Sequence, residues 1–122
     1  MTELEKVNLR DKLALFSDHF APRVVATMND YNVMLVKVRG EFVWHSHAET
    51  DDFFLVLDGR LTIDLPDRPV VLEAGELFVV PAGVEHRPRA DGEAQVLLIE
   101  PRETVNTGDA PPSELTNEPR PI

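Results

Sequence analysis

The alternation of apolar and polar positions is clearest in Arg60–Leu65, where Leu61, Ile63 and Leu65 alternate with Thr62 and Asp64. A two-residue period puts one side-chain face in a core and the other in water, so this is a half-buried strand. Arg23–Met28 and Asn32–Arg39 are apolar and β-branched, and Asn29-Asp30 between them tolerates the positive φ of a tight hairpin turn. Phe53–Leu57 and Arg60–Leu65 flank Asp58-Gly59, a strong hairpin signal, and are expected to pair. Pro66-Asp67-Arg68-Pro69 turns the chain into a short strand, Val70–Leu72, and Glu73-Ala74-Gly75 turns it again. Leu77–Val80 leads to Pro81-Ala82-Gly83, with Pro and Gly where a type I turn places them. Glu85–Arg89 is the next strand, Asp91-Gly92 the next turn, and Gln95–Ile99 the last strand.

Upstream, Leu4, Val7, Leu9, Leu13, Leu15 and Phe16 are spaced in a way that suits helix and extended chain equally, so only a short helical turn near Leu9–Phe16 is expected. Asp18-His19-Phe20-Ala21-Pro22 interrupts it. From Pro101 onward apolar residues thin out and half of the ten prolines are found. That tail cannot build a core of its own and is held only if it lies across the domain or a partner subunit. The expected organisation is an all-β sandwich or barrel over residues 1–100, with a short helical or extended N-terminal segment and a Pro-rich C-terminal tail over 101–122.

A chain of 122 residues with 43% hydrophobic content can bury a real core as one domain. Acidic residues outnumber basic ones by 22 to 12, giving a net charge of −10. Nucleic acid and anionic membranes both require clustered Lys and Arg, so neither is expected as a partner. Without cysteine there are no disulfides and no thiolate nucleophile or metal ligand. The first residues lack the basic and apolar regions of a signal peptide, and no apolar run has the length of a membrane span; a cytoplasmic protein is expected.

The chemistry-bearing residues concentrate between Gly40 and Gly59. His45 and His47 are two residues apart in a segment that reads as a strand, so both imidazoles face one way, roughly 6–7 Å apart at Cα. Two rings so placed can converge on one ion. Asp52 follows a short polar turn and opens the run Phe53–Leu57; Asp51 beside it could serve equally well, one as ligand and the other as turn cap. His86, after the Pro81-Ala82-Gly83 turn, is the third imidazole, with a solvated position as its bland alternative. His19 has no neighbour at ligand spacing. Three imidazoles and a carboxylate without sulfur suit divalent iron, manganese, nickel, zinc or copper, and leave coordination positions open. Ser46 points to the opposite face from the histidines, and no Gly-x-Ser-x-Gly or phosphate-binding loop occurs, which removes the hydrolase and nucleotide classes.

Gly40 to Gly59, with its His-x-His, acid and closing glycine, resembles the first motif of the cupin superfamily. Gly75 to Ala90, with Pro81, Gly83 and His86, resembles the second. The resemblance implies a jelly-roll barrel (a double-stranded β-helix), a small single-domain and usually dimeric protein, and a metal held by His45, His47, the acid at 52 and His86. Three positions depart from the pattern. Four residues rather than five separate Gly40 from His45, Ala90 stands for the usual Asn, and Asp52 stands for the usual Glu. The shorter acid can ligate directly or through water, the latter leaving a three-histidine site.

The family's activities are diverse, so fold does not assign the reaction. A metal-dependent enzyme of dioxygenase type acting on a small organic molecule ranks first; strand parity offers Met34, Val36, Phe54, Val56 and Phe78 as pocket walls, with plain core the better reading for most of them. A non-catalytic cupin that binds or senses a small molecule or metal is the alternative, since Glu41, Glu49 and Asp51 are near in sequence but none is identifiable as a general acid or base. A sugar-phosphate isomerase ranks lower. Its phosphate would need Lys37, Arg39, Arg87 or Arg89, and by strand parity with His86 both Arg87 and Arg89 face away.

Overall fold

The computed structural model describes residues 4–122; residues 1–3 of the expected domain lie outside it. In chain order the elements are α1 (Leu9–Leu13), β1 (Arg23–Met28), β2 (Tyr31–Glu41), β3 (Asp52–Asp58), β4 (Arg60–Asp64), β5 (Pro69–Glu73), β6 (Leu77–Val80), β7 (Arg87–Pro101) and β8 (Arg120–Pro121). The architecture is the expected all-β jelly roll. The N-terminal helix is shorter than the expected turn because Phe16 lies beyond it. Asn8 caps its start, the side chain accepting from Asp11 N at 3.0 Å. At its other end the buried Lys37 ammonium donates to the carbonyls of Leu13 and Phe16, as cations near helix C-termini do.

β7 organises the sheet. One of its edges pairs antiparallel with β2 from Tyr31↔Pro101 to Glu41↔Arg89. Its other edge is shared, β3 taking the stretch Gln95–Ile99 and β4 the stretch Arg87–Arg89. β6 pairs with β3, and β5 with β4. β1 and β2 form the expected hairpin, Met28↔Tyr31, with Asn29 at φ 54° in its turn.

Two expected turns are corrected. Asp58-Gly59 does not close a hairpin: β3 and β4 run end to end along β7 instead of pairing with each other. Asp91-Gly92 is not a turn either but part of a bulge in one continuous strand, where Val38↔Ala94 and Gly40↔Ala90 place two steps of β2 against four of β7. The two irregularities meet. Gly59 has φ +80°, and a Cβ on it would stand 2.4 Å from Glu93 O. Glycine here allows both the left-handed backbone and the close approach by which the strands bend around the barrel.

Inward positions of β2, β3, β4 and β7 fill the core, with Leu61, Ile63, Val56, Ala94 and Val96 at 0% exposure. A smaller cluster of Leu13, Phe16 and Leu35 packs α1 on the outer face of the sheet. The Pro-rich segment lies across the domain: Thr107 is buried, Leu115 packs on the core, and β8 adds a parallel strand to β1. No helix among the described residues is long and apolar enough to cross a membrane.

Candidate metal centre

His45 and His86 come from loops rather than regular strands, so the expected strand through His45 and His47 is corrected to an extended segment with one bridge. His45 N donates to His86 O at 3.0 Å and His86 N to His45 O at 2.9 Å. This bridge fixes the two rings 4.4 Å apart at their centroids. Each ring is then oriented by its own backbone, Nδ1 donating to the carbonyl two residues earlier, Val43 or Val84, at 2.9 Å. Nε2 is left facing inward on both. His47 lies 5.0 Å from His45 in an edge-on arrangement, and its carbonyl is tied to Gly83 N at 2.8 Å.

Asp52, the first residue of β3, points inward with Phe54 and Val56. Its Oδ2 lies 3.0 Å from His86 Nε2 and 3.4 Å from His47 Nε2, and its buried Oδ1 has no hydrogen-bond partner. Asp51 is the turn cap, accepting from Ala82 N at 2.9 Å. One ligand atom from each of His45, His47, Asp52 and His86 lies within 4.8 Å of the others, and all four residues are buried. Such a group can hold a metal ion. The donors fit one: three nitrogens, one oxygen, and an orphaned carboxylate oxygen with further binding capacity.

The electrostatics agree. Burial, opposed in part by the Val43 hydrogen bond, lowers His45 to a pKa of about 4, so its ring is neutral at pH 7. Burial alone would raise the Asp52 carboxyl, but hydrogen bonds and charge from His47 and His86 outweigh it and hold the group below the usual carboxylate range.

His45 and Asp52 line a cavity of about 50 Å³ among the core residues of the barrel. Its other walls are mainly apolar, including Phe20, Val38, Phe42, Leu61 and Leu98. Val36 and Phe54 line it as expected, whereas Met34, Val56 and Phe78 pack in the core around it. Among the described residues no Lys or Arg lines this cavity. Lys37 serves α1; Arg87 and Arg89 grip Asp64 outside the barrel; Arg39 is exposed. His19 pairs with Glu93 on the surface at 2.8 Å, and Ser46 Oγ donates to Asp109. Glu41 and Glu49 are also at the surface.

Glu100 is the residue that sequence reasoning missed. It is buried, lines the cavity, and is pushed well above the usual carboxyl range, first by burial and then by the Asp52 charge. The available signal was parity. Val96, Leu98 and Glu100 share one face, but a last strand ended at Ile99 leaves Glu100 in the tail.

Residues 32–100 match the model of a family described as the Cupin domain. The chain is 53% identical to a cupin-2 domain containing protein of Shewanella frigidimarina NCIMB 400, whose crystal structure superposes with a TM-score of 0.78 over 79% of this chain and 94% of that one. It is 36% identical over 90 residues, 71% of this chain and 80% of the other, to the uncharacterized protein YdbB of Bacillus subtilis. The crystal structure of hydroquinone 1,2-dioxygenase from Sphingomonas sp. TTNP3, in complex with 4-nitrophenol, shares the fold at 20% identity and a TM-score of 0.72. That match covers 81% of this chain and 33% of the dioxygenase.

Proposed function

The chain belongs to the cupin domain family, and on that premise we propose that His45, His47, Asp52 and His86 hold one divalent transition metal ion beside a pocket for a small organic molecule. The observation that carries this reading is the convergence of three imidazoles on the inward-pointing Asp52 carboxylate, two of the four residues, His45 and Asp52, also lining a mainly apolar cavity. Iron, manganese, nickel, zinc and copper are all compatible with the donor set. A bound ion would supply Lewis acidity and open coordination positions. The chain's own residues do the rest. Val43 and Val84 carbonyls hold the His45 and His86 rings in place, the apolar walls exclude water, and Glu100 presents a carboxyl to the interior.

Dioxygenase-type chemistry on a small neutral substrate is the preferred reaction. An apolar cavity without cations favours a neutral molecule, and hydroquinone 1,2-dioxygenase is a named precedent at the level of fold. Sugar-phosphate isomerisation has least support, since among the described residues no Lys or Arg lines the cavity to hold a phosphate. Oxygen uptake by anaerobically iron-loaded protein, across small phenols and diketones, tests the assignment. Uptake on one of them supports it. Binding of a phenol without turnover under any metal favours the non-catalytic module.

A homodimer belongs to the same reading. Two apolar rows cross the outer face of the sheet in register, Val33, Ile99, Phe53 and Val79 in one, Leu35, Leu97, Leu55 and Leu77 in the other. α1 covers the Leu35 end, while Leu77 and Val79 stay exposed. Sedimentation velocity checks this, and a monomer at all concentrations would remove it.

A further inference from the structure

Residues 104–117 pack against the barrel from outside the family-matched segment 32–100 and reach the cavity through Asn106. This strap has one buried anchor. Asn106 Nδ2 donates to Leu115 O at 2.9 Å and its Oδ1 accepts from Asn117 N at 3.0 Å, while Asn117 Nδ2 donates to Phe20 O at 3.1 Å. Thr107, whose hydroxyl lies 2.9 Å from that of Thr116, is fully buried. Leu115 packs on the barrel core.

The other anchor is exposed and sits on the His-x-His segment. Ser46 N and Oγ donate to the two Asp109 carboxylate oxygens at 2.7 and 3.0 Å, and Asp109 N returns a bond to Ser46 O at 3.1 Å. Between the anchors Gly108, at φ +55°, lays its backbone against the site. A Cβ there would stand 2.3 Å from Ser46 O and 3.0 Å from His45 Cδ2. Asn106 lines the cavity, while Val105, Gly108 and Asp109 line an outer groove together with His47. The strap thus touches both, reaching the cavity through Asn106 and backing through Gly108 onto the ring of His45, another cavity-lining residue.

We propose that this strap is the specificity-determining wall of the pocket: docked on Ser46 it admits only neutral ligands of a few heavy atoms, and larger ones enter when the Asp109 anchor releases. The inference rests on the pocket reading above. Its size argument is direct, because the cavity of about 50 Å³ is well below the ~150 Å³ that houses a benzene ring. Release at Asp109 is favoured over release at Thr107, since the Ser46 bonds are exposed and the Thr107 end is buried in packed side chains.

The test uses the full chain and two neutral probes, methanol and phenol, read by the NMR shifts of the Val36, Val96 and Leu98 methyls that line the cavity. In the wild type, methanol moves these signals and phenol binds weakly. Asp109→Ala frees the exposed anchor, and Gly108→Ala forces the strap off Ser46. Both are expected to bind phenol at least about tenfold more tightly, with methanol unchanged. Asp109→Asn, which keeps an acceptor for Ser46 N–H, should stay closer to the wild type. Should Gly108→Ala fail to fold, Asp109→Ala decides alone. Phenol bound equally by wild type and variants, or by none of them, overturns the proposal. Cobalt(II) absorption of the same samples reads the metal separately. A strap-dependent phenol response without cobalt uptake sinks the metal reading and leaves the strap standing.

Discussion

His86 presents both ring nitrogens to acceptors, Nδ1 to Val84 O at 2.9 Å and Nε2 to Asp52 Oδ2 at 3.0 Å. A neutral imidazole has one N–H and satisfies only one of them. The Val84 and Asp52 contacts therefore compete for one ring proton, a conflict that a metal ion bound between Nε2 and Oδ2 would remove. His45 has the same Nδ1 tether, and its neutral ring leaves the inward nitrogen free to ligate. The polarity of this buried corner thus makes Asp52 the member whose removal is most informative.

Asp52→Ala is expected to lower divalent-metal affinity by more than about a hundredfold, beyond the range typical of outer carboxylates that only orient a ligand. Competition with a chromophoric chelator measures it. A loss below tenfold would instead assign a three-histidine site with the carboxylate outside it.

Glu100 is pushed towards its neutral form, first by burial and then by the Asp52 charge, and Glu100→Gln keeps its shape without adding a buried charge. Urea unfolding should find the variant within about 1 kcal/mol of the wild type at pH 7. A loss above about 3 kcal/mol would mean that an ionised, paired carboxylate had been removed.

The bend between β3 and β4 gives a contrast between two glycines. Gly59→Ala meets Glu93 O and a left-handed backbone together, and should cost about 2 kcal/mol or more. Gly92→Ala has nothing within 4 Å and no positive φ, so thermal unfolding should barely change. Equal effects would refute the close approach of the two strands.

Asp64 is depressed below its ordinary value, first by the Arg89 hydrogen bond and then by Arg87, with burial opposing. A depressed acid contributes stability above its unfolded pKa and loses it as pH falls through the folded one. Asp64→Asn should therefore be less stable than wild type at pH 7, by at most about 1 kcal/mol for so open a pair. The gap should close below the ordinary value of 3.8. A gap that does not narrow as pH falls below 3.8 would contradict the sign.

Much of this was legible in the chain. Ligand spacing is a local property, so His45, His47 and His86 stood out at once, and the alternation of Leu61, Thr62, Ile63 and Asp64 located one wall of the barrel. Asp58-Gly59 and Asp91-Gly92 misled because the positive φ that suits a hairpin also suits a bend within a strand. Which of the two forms depends on distant partners, here Glu93 against Gly59. Glu100 was hidden because a lone acid after Ile99 looks like the start of a polar tail. The strap was hidden for a related reason. Its anchors, Asn106 to Asn117 and Asp109 to Ser46, are polar and long-range, and hydrophobic periodicity reports neither.

The most direct test of the central claim is metal stoichiometry by elemental analysis of untagged protein after anaerobic reconstitution, beside His47→Ala. The account predicts one divalent ion per wild-type chain and almost none in a variant that still folds as a barrel. Wild-type protein that takes up no ion, or a His47→Ala variant that retains a full one, would contradict it.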